Sequence, residues 1–168
     1  MKFTKKQIER YSRQIVLKKI GIIGQKKILN SSVLIIGVGG LGSPIAIYLA
    51  AMGIGKIGIV DKDVVEVSDL HRQIIFSTSD IKKSKSLKAI SKLKKVNPDV
   101  NFESFQKKLT AKNINQIAKQ YNIIVDGSDN FRTRFLINDY CLKKKKILIS
   151  GAISKFDGQV YTFNFSNK

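Results

Sequence analysis

One junction constrains the fold of this chain more than any other feature. Val33-Leu34-Ile35-Ile36, an unbroken aliphatic run rich in β-branched residues, passes directly into Gly37-Val38-Gly39-Gly40-Leu41-Gly42. Such a run predicts a strand buried on both faces, not one that alternates between core and water. Gly37, Gly39 and Gly42 then match the G-x-G-x-x-G pattern, where the backbone turns tightly and an anion can approach the N-terminus of the following helix. Ser43 and Pro44 read as the N-cap and first residue of that helix, expected to run to about Met52 and to stop at Gly53. Ile57 to Val60 reads as a second buried strand. It closes on Asp61, at the separation from the glycines where a carboxylate accepts from ribose hydroxyls.

The remaining segments repeat this alternation. Thr4 with Gln7 makes a capping-box pattern for a helix through about Tyr11, and Gly24 to Leu29 reads as another short helix. Asp61 to Ser79 has no helix period. A lysine-rich helix is expected from about Ser84 to Val96, with Leu87, Ile90 and Leu93 on one face, stopped by Asn97-Pro98. Val100 to Phe105 reads as a third strand, and Thr110 as the cap of a helix carrying Ile114, Ile117 and Ala118. Ile123 to Val125 is a fourth strand, ending at Asp126-Gly127-Ser128-Asp129-Asn130. A helix with Phe131, Phe135 and Cys141 leads to a fifth strand, Ile147 to Ile149, and Asp157-Gly158 is read as a hairpin turn into Gln159 to Phe165. The expected fold is α/β: a Rossmann-like, doubly wound, mostly parallel sheet with an antiparallel edge hairpin. It is expected to form one nucleotide-binding domain over residues 1–168, with a helical segment at 1–30 and the core at 31–168.

Composition narrows the chemistry. The chain has 168 residues, 43% hydrophobic and 26% charged, a mix that can bury a core. No stretch reaches the roughly 18 apolar residues of a membrane span, and the N-terminus lacks the apolar segment of a secretory signal. One cysteine, Cys141, and one histidine, His71, leave no set for a disulfide or a zinc site within these residues, and Cys141 reads as a small core residue. A cytoplasmic, zinc-free chain is expected. The net charge of +19 comes from 31 basic residues, of which only Arg10, Arg13, Arg72, Arg132 and Arg134 are arginines. A nucleic-acid surface would use more arginine, and an AT-rich codon bias accounts for the lysine excess.

The glycine pattern with Asp61 would, alone, suggest an NAD-dependent oxidoreductase, and no GxxxxGK[ST] loop is present. The residues beyond Asp61 point elsewhere. Asp61, Asp63, Arg72, Gln73 and Lys85 lie in a stretch that must fold back over the crevice, and Asp129 comes after the fourth strand. Acids, cations and a glycine turn at one sheet edge describe a triphosphate with Mg²⁺ better than a nicotinamide.

Four motifs, in this order, resemble the hallmarks of ThiF/MoeB-type adenylyltransferases, bacterial relatives of ubiquitin-activating enzymes: Arg10-Tyr11-Ser12-Arg13-Gln14-Ile15, the Gly37–Gly42 turn, Ser68-Asp69-Leu70-His71-Arg72-Gln73, and Ser128-Asp129-Asn130. The resemblance extends from Arg10 to about Gln159. It implies MgATP-dependent adenylation of the C-terminal glycine carboxylate of a ubiquitin-like sulfur-carrier protein, for thiamine or molybdopterin synthesis. It further implies that Gly40 lies against the nucleotide, Asp61 binds ribose, Arg72 and Lys85 hold phosphates, and Asp129 binds Mg²⁺. Arg13 would enter the partner's site in a homodimer. Asp69 stands where the family usually has Asn, an extra carboxylate that would repel phosphates unless a metal or Arg72 compensates. The family's Cys-x-x-Cys zinc ligands and crossover loop normally lie beyond Lys168. A non-catalytic domain of the same fold that only binds nucleotide or a partner, and a relative that adenylates a modified tRNA base, are the alternatives.

Overall fold

The computed structural model describes residues 3–166. Six strands form one sheet in the order β3-β2-β1-β4-β5-β6. They are β1 (Ser32–Ile36), β2 (Lys56–Val60), β3 (Asn101–Phe105), β4 (Ile123–Asp126), β5 (Ile147–Ser154) and β6 (Asp157–Asn164). The first five run parallel, and β6 returns antiparallel along β5. This is the doubly wound sheet with an antiparallel edge that the sequence predicts. The chain steps outward from β1 through β2 to β3, then crosses back to lay β4 on the other side of β1. The strand order therefore reverses at β1, and in such sheets a crevice opens there beyond the carboxyl ends of the strands.

The helices are α1 (Lys5–Ile15), α2 (Gly21–Leu29), α3 (Gly42–Met52), α4 (Lys85–Val96), α5 (Ile114–Ala118) and α6 (Phe131–Lys144). β1 shows why the strand needs apolar residues at every position. Val33 and Ile35 join Ala46 and Ala50 of α3 and Leu93 of α4 in one core, while Leu34 and Ile36 join Ile117 of α5 and Ile137 and Cys141 of α6 in the other. Each such aliphatic side chain, fully buried, contributes about 1.5–3 kcal/mol. No helix among the described residues is long and apolar enough to cross a membrane.

Several local expectations are corrected. The Thr4/Gln7 capping box forms, but α1 runs on to Ile15, past Tyr11. α3 starts at Gly42 with no side-chain cap; buried Ser43 instead donates its hydroxyl to Val38 O at 3.0 Å, closing the glycine turn from inside. In α4, Leu87 is 54% exposed, and the inward residues are Ser86, Ala89, Ile90 and Leu93, spaced by three and four as one helical face requires. Thr110 does not cap α5; its N–H donates to the Asn113 side chain in the preceding turn. Phe131 and Phe135 stack on each other in solvent on α6, whereas Cys141 is buried as expected. β5 and β6 pair as far as Ser154 and Asp157, so the hairpin turn is Lys155-Phe156, with Lys155 at φ +54°, and Asp157-Gly158 already belongs to β6.

Candidate functional site

At Gly37 and Gly42 the glycine turn is held by contacts that leave no room for a side chain. Gly37 has φ +85°, in the left-handed region, and a Cβ there would meet Gly127 O at 2.9 Å. A Cβ on Gly42 would strike the carbonyl oxygen of Gly37. Turn and α3 are thus locked together, with Gly39 and Gly40 facing a cleft of about 410 Å³ at the carboxyl ends of β1, β2, β3 and β4.

Asp61, directly after β2, forms the next wall. Its carboxylate accepts the Val38 N–H at 3.0 Å and the Asp63 N–H at 2.9 Å, so it pins the glycine turn as well as facing the cleft. Burial raises the Asp61 carboxyl above its ordinary value, against the pull of these two donors. Beyond it, the segment without helix period is tied back on itself. Val64 and Ser84 form an isolated antiparallel bridge, and the Lys85 N–H donates to Asp63 O at 2.9 Å. Ser84 caps α4 through the Leu87 N–H. These bonds deliver Lys85 to the cleft.

Asp69 gathers the groups the sequence assigns to phosphate. It is 5% exposed and sits 2.9 Å from Lys85 Nζ. Gln73 Nε2 donates to it at 2.7 Å, the Arg72 guanidinium stands at 3.5 Å, and the Glu66 N–H donates at 3.0 Å. Burial works to raise the Asp69 carboxyl, but the Glu66 N–H, Lys85 and Arg72 outweigh it and hold it below its ordinary value. The compensation expected from a metal or Arg72 comes foremost from Lys85. Arg72 also donates to Ser68 O at 2.7 Å, which lays its stem along Gly40, 3.6 Å from where a Cβ would be. Gln73 Oε1 is buried with no hydrogen-bond partner.

The fourth wall is the loop after β4. Buried Asp126 accepts the Ser128 N–H and hydroxyl on one oxygen and the Ser150 hydroxyl on the other. Arg134 of α6 donates to Ser128 O at 2.6 Å and to Gly151 O at 3.0 Å. The Asn130 side chain caps α6 by accepting the Thr133 N–H at 3.0 Å. Asp129 is left exposed at the cleft with this frame behind it.

Of the residues singled out from sequence, Gly37, Gly39, Gly40, Asp61, Asp63, Arg72, Gln73, Lys85 and Asp129 line this one cleft. Gly42 lies beneath it, and Arg13, exposed on α1, is not among its lining residues. Sequence reasoning missed Lys62, Lys107 and Lys108, which also line it, and Asp126 and Arg134, which shape it. Asp126 carried a legible signal, a polar residue closing an apolar strand. The three lysines carried none.

No group of three or more His, Cys, Asp or Glu side chains among the described residues is arranged to hold a metal ion. Asp129 with its neighbours suits Mg²⁺ all the same, because that ion keeps several waters and is commonly held by one or two carboxylates plus phosphate oxygens.

Comparison with known proteins gives this geometry its relatives. The family model described as ThiF family matches residues 11–168. The chain belongs to the ThiF family. It is 47% identical over 163 residues to a probable molybdopterin-synthase adenylyltransferase of Porphyra purpurea, covering 97% of this chain and 43% of that protein. It is 44% identical over 164 residues to a sulfur carrier protein adenylyltransferase of Thermus thermophilus, covering 98% and 60%. The ThiF-family chain thus spans about half the length of these relatives. Among solved structures it superimposes on Escherichia coli MccB with AMPCPP and MccA at a TM-score of 0.81 and 27% identity, covering 90% of this chain and 48% of that one. MccB with ATP matches at a TM-score of 0.78 and 28% identity, covering 85% and 44%.

Proposed function

We propose that this ThiF-family chain carries the MgATP site of an adenylyltransferase acting on the C-terminal glycine carboxylate of a ubiquitin-like sulfur carrier in thiamine or molybdopterin synthesis. The observation that carries the reading is the convergence of the glycine turn, Asp61, Arg72, Gln73, Lys85 and Asp129 on one cleft where the strand order reverses. The names of its relatives, and the likeness to MccB bound to ATP, support it.

In this reading the triphosphate lies over Gly39 and Gly40, with the ribose hydroxyls on Asp61. Arg72 and Lys85 take the phosphate oxygens, and Gln73 lies beside them. Asp129 would hold Mg²⁺, which would supply neutralising charge to the phosphates. A carboxylate oxygen of the carrier bonds to the α-phosphorus as the bond from that phosphorus to the bridging oxygen breaks. The products are the carrier acyl-adenylate and pyrophosphate. No protein nucleophile is needed, so the chain contributes position and charge neutralisation. Arg13, outside its own cleft, is assigned to the cleft of a second copy. Mixing Arg13→Ala with Asp129→Ala chains then restores part of the activity, and a proven mixed dimer as inactive as either parent sinks that assignment.

Calorimetric titration tests the core of the proposal. MgATP binding with weak or absent NAD binding is the expected outcome, and tight NAD binding without response to MgATP overturns it. MgATP binding without carrier-dependent pyrophosphate exchange would assign the chain to nucleotide binding alone.

A further inference from the structure

Two of the cations that line the cleft, Lys85 and Arg72, are already engaged by an anion of the chain itself. Asp69 brings Lys85 to 2.9 Å, Gln73 Nε2 to 2.7 Å and Arg72 to 3.5 Å, all on one side chain at 5% exposure. Lys85 is itself 8% exposed, so leaving its ammonium without a partner there is costly. Asp69 is held from behind by the Glu66 N–H, in the 3-10 turn Val67–Asp69. The Lys85 ammonium has three donors, and those not on Asp69 are available to the cleft that Lys85 lines.

We propose that Asp69 is a positioning residue that stands in for phosphate until nucleotide arrives and then competes with it. This rests on the nucleotide reading of the site and adds a property to it. The carboxylate keeps Lys85, Arg72 and Gln73 aimed at one point before any ligand binds, which spares the ordering that free side chains would need. The same negative charge lies beside incoming phosphate and shares its cations. Asp69 therefore trades nucleotide affinity for a pre-aimed lysine. Ligands without phosphate do not feel this competition.

The experiment compares the chain with Asp69→Asn and Asp69→Glu by calorimetry, using MgATP and adenosine as probes. Asp69→Asn keeps an acceptor for the Glu66 N–H but loses the charge. It is expected to bind MgATP about tenfold more tightly, the scale of one partly screened charge in a cleft, with adenosine affinity unchanged. Asp69→Glu retains the charge and is expected to gain no MgATP affinity over the parent. In ATP–pyrophosphate exchange, KM and kcat both fall in Asp69→Asn. A purely structural loss lowers the active fraction and leaves KM where it was. Asp69→Ser, which also offers an oxygen to the Glu66 N–H, makes the same test if Asn does not fold. Unchanged or weaker MgATP binding by the uncharged variant, with adenosine binding intact, overturns this proposal alone. Failure of the parent to bind either probe overturns it together with the nucleotide reading.

Discussion

Val67–Asp69 and Thr78–Asp80 are single 3-10 turns built alike. Asp69 accepts the Glu66 N–H at 3.0 Å, and Asp80 accepts the Ser77 N–H at 3.0 Å, each reaching back three residues. Both aspartates are covered, at 5% and 1% exposure, and both take two cations: Arg72 and Lys85 for Asp69, Lys88 and Lys92 for Asp80. The difference lies in what else the cations can reach. Lys85 is held at 10% side-chain exposure with the cleft in front of it, while Lys88 and Lys92, at 28% and 31%, look out to solvent from the next turns of α4. The same local device is therefore a staple in one place and part of a binding cleft in the other. A buried ion pair says little about function until the space beside its cation is known.

The two sets of lysines should not be interchangeable. Lys85→Met is expected to cut ATP–pyrophosphate exchange by on the order of 10²–10³, since losing one donor to developing charge costs about 2.7–4 kcal/mol in the barrier. Lys88→Met, one turn along the same helix, leaves exchange unchanged. Equal losses in a steady-state exchange assay would mean that α4 acts only as a scaffold.

A smaller effect separates the aspartates by stability. Asp80→Asn keeps an acceptor for Ser77 but gives up two ammonium partners that can turn to water. The expected cost is about 1–2 kcal/mol, below the roughly 3–5 kcal/mol for breaking a fully buried pair on one side. A urea unfolding midpoint reads this directly, and exchange per folded molecule stays at the parent level. A drop in exchange would tie Asp80 to the cleft and erase the distinction.

Much of the fold was legible because its signals are local. Val33 to Ile36 needs apolar residues at every position since both of its faces are covered, and the glycines next in the chain are demanded by the contact of Gly42 with Gly37 O and by φ +85° at Gly37. The hairpin was less legible. β5 continues through Gly151 and Ala152, where backbone pairing with β6 carries the strand and side chains give no pattern. In the site, the residue types and their order pointed to the carboxyl edge of the sheet, where the fold brings them to one cleft, but pairings were not legible. Asp69 reads in sequence as a charge beside phosphates; only the fold shows Lys85 brought to it by the bridge between Val64 and Ser84. Lys107 and Lys108 were hidden for a different reason. In a chain with 31 basic residues, nothing distinguishes these two except their place after β3, beside Asp61.

The smallest expected effect is in the acid titration, where a third aspartate, Asp61, behaves oppositely to the other two. Burial works against ionisation of Asp69 and Asp80, yet their N–H and ammonium partners prevail and both carboxyls fall below the ordinary 3.8. At Asp61 burial prevails over the Val38 and Asp63 N–H donors, and the carboxyl rises above 3.8. The signs for stability are therefore opposite. Asp69 and Asp80 contribute stability above 3.8 that is lost as pH falls through their lowered values. Asp61 contributes below 3.8, and that contribution is lost as pH rises through its raised value. On acidification, side-chain carboxyl NMR should show Asp61 protonating first, above 3.8, with Asp69 and then Asp80 protonating below it. Unfolding midpoints should decline below 3.8, and the decline should flatten in Asp80→Asn. Asp69 titrating above 3.8 would mean that Lys85 and Arg72 do not outweigh its burial in solution, and the likeness between the two turns would then end at their backbone.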